Sequence, residues 1–266
     1  MTAPAGPLWM VGCGNMGGAM LRRWLAAGLN PREITVITRS GHGVPEGVRS
    51  LRVAPANERP ATLVLGVKPQ QLDEVAPALA HLRPALLVSI LAGVEEAALA
   101  SRIPAAAIVR AMPNLPVAIG QGVTALFSSS ATAEARDAAT ALATPLGLAE
   151  WIDDEARFDA VTALAGCGPG FVFRFADALA AAGTALGLSE EQARRLALAT
   201  LAGSAAMAVD AEDAPAALAD RVASPGGSTR EGLNVLDQDE ALADLLRRTL
   251  AASARRNAEM AAAARR

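Results

Sequence analysis

"WMVGCGNMGGAML", Trp9–Leu21, decides how this chain is read. An apolar run leads straight into Gly12, Gly14 and Gly17, spaced G-x-G-x-x-G, and a helix-forming stretch follows. In a strand–turn–helix setting that spacing is a dinucleotide-binding fingerprint. Gly12 permits the tight turn, Gly14 admits a pyrophosphate and Gly17 lets helix and strand pack closely. The helix N-terminus adds unpaired N–H groups and a positive dipole end. Cys13, Asn15 and Met16 complete the loop. The same glycines also occur in turns that only pack a strand on a helix, so the flanking segments have to decide.

The next candidate strand, "EITVITR", ends in Thr38, Arg39 and Ser40 without an acid. An NAD site carries Asp or Glu there to accept from the ribose hydroxyl, whereas an arginine and a hydroxyl suit a 2′-phosphate. The expected cofactor is therefore NADPH, with NADH the weaker alternative. "LGVKPQQ", "SILAGV" and "RAMPNLP" end the following strands on the carboxyl edge, where open α/β sheets bind ligands. Taken singly, Lys68 reads equally as a solvated strand-end lysine, and Pro69 and Pro113 as helix-stop residues.

The texture of the first half extends this pattern. "PLWMVGC", "EITVITR", "TLVLGV", "ALLVSIL", "AAIVRAM", "GVTALFSS" and "LAEWID" read as strands. "NMGGAMLRRWLAAG", "QLDEVAPALAHL", "GVEEAALASRI" and Ala133–Thr144 read as helices between them. From about Asp153 onward the chain is alanine-rich and helical. "EEQARRLALATLAGSAAMAVD" follows Ser189 with Gln192 placed for a capping box, and Leu196–Val209 is apolar nearly all round. In a bundle this small, that points to burial against a second subunit. Glu240–Arg266 reads as a long amphipathic helix. The expected fold is α/β: a Rossmann-type doubly wound sheet over residues 1–153, then an all-helical dimerisation domain over 154–266.

Bulk properties narrow the function. The chain has 266 residues, 52% of them apolar, which is ample for real cores, and a net charge of −3. That charge gives no electrostatic case for nucleic acid or an anionic membrane surface. "MTAPAGPLWMVG" lacks the basic start of a signal peptide, and the most apolar run, Ala178–Leu188, is too short to span a bilayer. Cys13 and Cys167 are far apart and suggest neither a disulfide framework nor a metal site. A cytoplasmic protein of a reducing compartment is expected. There is no tyrosine, which excludes a Tyr-Lys dehydrogenase dyad, and His42 and His81 read as solvated residues of the nucleotide half.

"VASPGGSTREGL", Val222–Leu233, interrupts the helical half. Pro225, Gly226 and Gly227 exclude helix interior. The run is either a connection or an anion nest. Consecutive backbone N–H groups at glycine can cradle a carboxylate, with Thr229 offering a hydroxyl and a helix beginning near Arg230 or Glu231. The residues alone leave both readings open.

"VGCGNMGGAM", "VKPQ", "RAMPNLPVAIGQGVTAL", "FDAVTALAGCGPGFVF" and "VASPGGSTREGL" occur in that order. Over nearly its whole length the chain resembles the pyrroline-5-carboxylate reductase family, which makes proline with a nicotinamide cofactor. The resemblance implies that Gly12–Gly17 hold the pyrophosphate and that Arg39, Ser40 and Asn57 hold the adenosine end. Val67, Lys68 and Ala92 would line the nicotinamide crevice through their backbone. It also implies a substrate pocket of Glu155, Arg221, Ser224, Gly226, Gly227, Ser228 and Thr229, with Thr229 the catalytic candidate, and a small imino acid as substrate. A homodimer built through the second domain, and larger assemblies of dimers, follow from the same resemblance. The chain departs from the family at Ala165 and Cys167, where two serines are usual, and at Arg221, which replaces an asparagine. Two rival readings remain: a reductase of another cyclic imine, and a non-catalytic nucleotide-binding sensor. Hydroxy-acid relatives of this architecture use a catalytic lysine in the helical domain, and no lysine follows Lys68.

Overall fold

The computed structural model describes residues 6–39, 41 and 43–264; Ser40 and His42 lie outside the described residues. Eight strands form one sheet among them: β1 (Leu8–Val11), β2 (Ile34–Ile37), β3 (Arg49–Leu51), β4 (Thr62–Leu65), β5 (Leu86–Ser89), β6 (Ala107–Pro113), β7 (Gly122–Phe127) and β8 (Gly147–Trp151). Their order is β3-β2-β1-β4-β5-β6-β7-β8, and every pairing is parallel except β6 with β7. The chain builds from β1 out to β3, then crosses back to β4 on the other side of β1. That reversal opens a crevice at the carboxyl ends of β1 and β4.

The inner strands are buried at every position and mostly apolar because helices cover both faces. Met10 and Val64 point into one core with Met20, Trp24 and Val109, while Trp9, Val11, Leu63 and Leu65 enter the other with Leu79, Leu87 and Ile108. The helices of this region are α1 (Asn15–Ala26), α2 (Leu72–Leu79), α3 (Glu96–Ala100), α4 (Ala133–Ala143) and the short α5 (Phe158–Val161). Trp24 of α1 is buried, and its indole N–H donates to the Leu142 carbonyl at 2.7 Å, tying α1 to α4. No strand is expected from the sequence at β3. Its Arg-Ser-Leu is largely exposed at the sheet edge, so the apolar alternation that marks a half-buried strand is missing.

Contacts divide the chain into two units, one of residues 1–167 with 253–266 and one of 168–252. The first unit therefore runs past the join expected at Asp153/Asp154. Phe158 packs with Met112, Ala125 and Phe127 of the sheet, its ring edge-on to Phe127 with centroids 6.1 Å apart. A π-turn over Thr162–Gly166, closed by the Cys167 N–H donating to the Thr162 carbonyl at 2.8 Å, ends this stretch.

The second unit begins with α6 (Gly168–Ala185) and α7 (Glu190–Asp210), packed as a hairpin. The turn between them uses Gly187 in the left-handed region, at φ +100°. The helices approach closely enough that a Cβ on Gly183 would lie 3.4 Å from the Ala193 side chain. The expected capping box is present: Ser189 Oγ accepts from the Gln192 N–H at 3.3 Å and Gln192 Oε1 accepts from the Ser189 N–H at 3.2 Å. α8 (Pro215–Arg221), α9 (Ser228–Asp237) and α10 (Ala241–Ala264) follow, and the last turns of α10, from Ser253, belong to the first unit. In the single chain α7 buries only Ala193 and Ala197 among its described residues, and Met207 and Val209 are 73% and 83% exposed. The apolar surface expected to be covered is open in one copy. Among the described residues no helix is long and apolar enough to cross a membrane.

Candidate functional site

The glycine loop performs three separate tasks. Gly12 has φ +87°, and a Cβ there would lie 2.7 Å from the Gly66 carbonyl oxygen. β1 and β4 come together at that point, with the Gly66 N–H donating to the Val11 carbonyl at 2.8 Å. Gly14 caps α1, and a Cβ on it would meet nothing within 4 Å. It faces open space, as an approaching pyrophosphate requires. Gly17 sits over the strand: its added Cβ would lie 3.1 Å from the Gly12 carbonyl oxygen and 3.3 Å from Met10 Sδ. No acid occupies the first turn of α1, so its positive end is left for an anion. Asn15 and Met16 open that helix. Cys13 bonds weakly to the Gly43 carbonyl at 3.7 Å, and burial pushes its thiol pKa up, only partly offset by Arg22.

A cleft of about 520 Å³ extends from this loop across the carboxyl edge. Thr38 lines it together with five of the twelve expected cofactor residues, Gly12, Gly14, Arg39, Val67 and Lys68. The glycine cradle, the bare helix end and the cationic lining fit a phosphorylated dinucleotide. Lys68 donates its backbone N–H to Gln71 Oε1 at 3.2 Å, which fixes the turn into α2. Asn57 and Ala92 lie outside this lining, both exposed, in the turns before β4 and after β5. Ser40 is outside the described residues. His81 contacts the Pro55 carbonyl at 3.2 Å, a structural tie rather than a solvated ring.

Two charged residues that the sequence did not suggest also line the cleft, Arg52 and Glu74. Arg39 Nη1 reaches Glu74 Oε1 at 2.8 Å, with the two side chains 72% and 59% exposed. An exposed pair of that kind stabilises by only ~0.2–1 kcal/mol, so it opens readily to a better partner for Arg39. Arg52 was missed because its position depends on β3, which was itself missed.

The residues expected at the substrate fall on both units. Glu155, in the first, has its carboxylate committed: Oε1 accepts from Arg110 Nη1 at 2.7 Å and from the Glu96 N–H at 2.8 Å. The Arg110 side chain is 6% exposed, with its guanidinium 4.4 Å from the centre of the Phe158 ring. Glu155 borders a cavity of about 380 Å³ with Glu95, Arg110, Phe158 and Asp159. One signal for this clamp was legible. The arginine inside the apolar run "AIVRAM" needs a partner, since a buried charge is rarely left unpaired.

In the second unit Ser224–Gly227 is a tight turn, with the Gly227 N–H donating to the Ser224 carbonyl at 2.9 Å. Gly226 lies at φ +72°, and a Cβ on Gly227 would sit 2.7 Å from Ser224 Oγ. One glycine supplies the left-handed step and the other the close approach, which accounts for two in a row. The helix after the turn starts earlier than expected: α9 begins at Ser228 with Gly227 as its cap. Ser228 and Thr229 therefore occupy its first turn rather than a loop, both exposed, and their N–H groups precede the first helical bond, Glu231 N–H to the Gly227 carbonyl at 3.2 Å. Arg221, at the end of α8, is ion-paired to Asp213, and Arg230 to Asp220 at 2.7 Å. Cys167 accepts from Ser253 Oγ at 3.2 Å within the first unit and has no histidine beside it among the described residues.

Comparisons with known proteins agree with this geometry. Residues 155–260 match the model of the pyrroline-5-carboxylate reductase dimerisation family, and residues 8–93 that of the coenzyme F420-dependent NADP oxidoreductases. A pyrroline-5-carboxylate reductase of Pseudomonas aeruginosa is 36% identical over 264 residues, covering 94% of this chain and 95% of that protein. The solved structure of a pyrroline-5-carboxylate reductase from Coxiella burnetii superimposes with a TM-score of 0.87 at 30% identity, covering 96% of this chain and 98% of that one. A Plasmodium falciparum pyrroline carboxylate reductase solved with NADP bound gives a TM-score of 0.83 at 25% identity, covering 97% and 99%. With its glycine loop, cationic cleft and S-P-G-G turn all in place, the chain belongs to the pyrroline-5-carboxylate reductase family.

Proposed function

We propose that the chain reduces 1-pyrroline-5-carboxylate to L-proline with NADPH, the last step of proline biosynthesis. The observation that carries this reading is the near-full-length relationship to pyrroline-5-carboxylate reductases, which spans the nucleotide cleft and the S-P-G-G turn together. Gly12–Gly17 would hold the cofactor's pyrophosphate, with Arg39 at its ribose and Val67 and Lys68 along the crevice. Bound there, the nicotinamide supplies a hydride to the ring carbon of the imine.

The remaining work falls to the chain. The substrate carboxylate would meet the N-terminus of α9, where the N–H groups of Ser228 and Thr229 precede the first helical bond and the dipole favours an anion. The Thr229 hydroxyl would hydrogen-bond the ring nitrogen and set its orientation. The nitrogen's proton arrives with the protonated imine, from water or through Thr229. Proximity and orientation then supply most of the acceleration. The Arg39 side of the cleft supports a preference for NADPH over NADH. The working form is a homodimer in the cytoplasm, assembled through the helical unit.

The test is purified protein with NADPH and 1-pyrroline-5-carboxylate, following the absorbance of the reduced nicotinamide, with other cyclic imines in parallel. Imine-dependent oxidation fastest with the five-membered imino acid is expected. Faster turnover of another ring would reassign the substrate, and no oxidation with any imine would leave a nucleotide-binding sensor.

A further inference from the structure

We propose that Arg52 is the residue that separates a 2′-phosphorylated from an unphosphorylated ribose in this cleft, and that Glu74 works against it. The inference rests on the reading of the cleft as an NADP(H) site and concerns which of its side chains make the choice.

The sheet register sets the position of Arg52. β3 pairs with β2 so that Leu51 lies beside Ile37, and the Thr38 N–H donates to the Leu51 carbonyl at 2.9 Å. Arg52 therefore leaves β3 at the level where Thr38 and Arg39 leave β2, the place where dinucleotide folds of this type read the ribose. The cleft lining includes all three residues. The short edge strand thus brings a second cation to the end of β2.

The partners of the neighbouring arginines differ. Arg39 is held by Glu74, and Arg49 is gripped by both carboxylate oxygens of Glu58, at 2.5 and 2.9 Å. Arg52 has no hydrogen bond or ion pair among the described residues. It is the uncommitted guanidinium of the three, and a dianionic phosphate offers it a charge-assisted, bidentate partner. Glu74 acts in the opposite sense. Its carboxylate lines the same cleft from α2, neutralises Arg39 and repels a phosphate placed beside it. To an unphosphorylated ribose it offers an acceptor, the part an acid at the end of β2 plays in NAD sites.

Binding of two nicotinamide-free fragments, 2′,5′-ADP and 5′-AMP, tests this by calorimetry on the full chain and on Arg52→Ala and Glu74→Gln. Arg52→Ala should weaken 2′,5′-ADP by about 10–100-fold and leave 5′-AMP within about twofold. Glu74→Gln should tighten 2′,5′-ADP several-fold without tightening 5′-AMP. Equal losses for both fragments in Arg52→Ala, or no loss for either, would overturn the assignment alone. If the unaltered chain binds the two fragments equally, the NADP(H) reading and the assignment fall together.

Discussion

Arg110 and Glu155 lie 45 residues apart in sequence and meet at 2.7 Å, an almost fully buried guanidinium against a carboxylate that is 27% exposed. The same carboxylate oxygen takes the Glu96 N–H, so one atom fastens β6, the start of α3 and the segment leaving β8. Removing it would strand the Arg110 charge over Phe158. Glu155→Gln is expected to lower stability by ~2–3 kcal/mol, below the 3–5 of fully buried pairs because Glu155 is partly solvated. Thermal or denaturant unfolding reads this. A variant of unchanged stability with weakened substrate binding would return Glu155 to the substrate pocket.

The glycine loop allows a paired test. Gly12→Ala places a Cβ against the Gly66 carbonyl at positive φ, and the backbone term alone costs ~1–3 kcal/mol. Gly14→Ala adds its methyl to open space at ordinary φ. Stability should therefore fall in the first variant and hold in the second, while NADPH binding weakens by at least ~10-fold in both. Unimpaired NADPH binding by a well-folded Gly14→Ala protein would remove the pyrophosphate from that position.

Thr229→Ala should leave folding and NADPH affinity unchanged, since the residue is exposed in the first turn of α9 and its hydroxyl makes no hydrogen bond among the described residues. Turnover should drop by ~10–100-fold, equivalent to ~1.4–3 kcal/mol of transition-state orientation. Ser228→Ala should do less, because that position would act through its backbone N–H. Steady-state kinetics with NADPH binding measured separately checks the order, and near-normal turnover in Thr229→Ala would make the turn a plain connection.

Association should follow from the open face of α6 and α7. Their groove of about 540 Å³ is lined by Phe173, Ala176, Thr184, Arg194 and Leu198, and Leu196 is 56% exposed. Sedimentation at micromolar concentration should show a dimer or larger, and Leu198→Asp should shift it toward monomer and lower the melting temperature. A stable, active monomer of the unaltered chain would contradict this.

Legibility in the sequence tracked the range of the interactions. Gly12, Gly14 and Gly17 act within one loop, so their spacing carries their roles, and the Ser189–Gln192 cap was readable for the same reason. The apolar strands declared themselves because both sheet faces are covered. β3 did not, since a three-residue edge strand buries too little to leave a pattern. Arg52 was lost with it. The pairs Arg39–Glu74 and Arg110–Glu155 join residues 35 and 45 positions apart, which no local rule connects. The assignment of Glu155 to the substrate rested on resemblance alone, and its packing partners became visible only in the fold.

Residues 253–264, the last turns of α10, give the first unit a dependence on timing. Ala261 packs against Gly93, its Cα 3.2 Å from where a Cβ on that glycine would be, and Ser253 bonds Cys167. During synthesis the sheet emerges first, and these turns arrive only after all of residues 168–252. A nascent chain would hold its nucleotide loop long before the turn following β5 receives its packing. Full assembly of that unit therefore waits until all of residues 168–252 have been made, however early its strands pair.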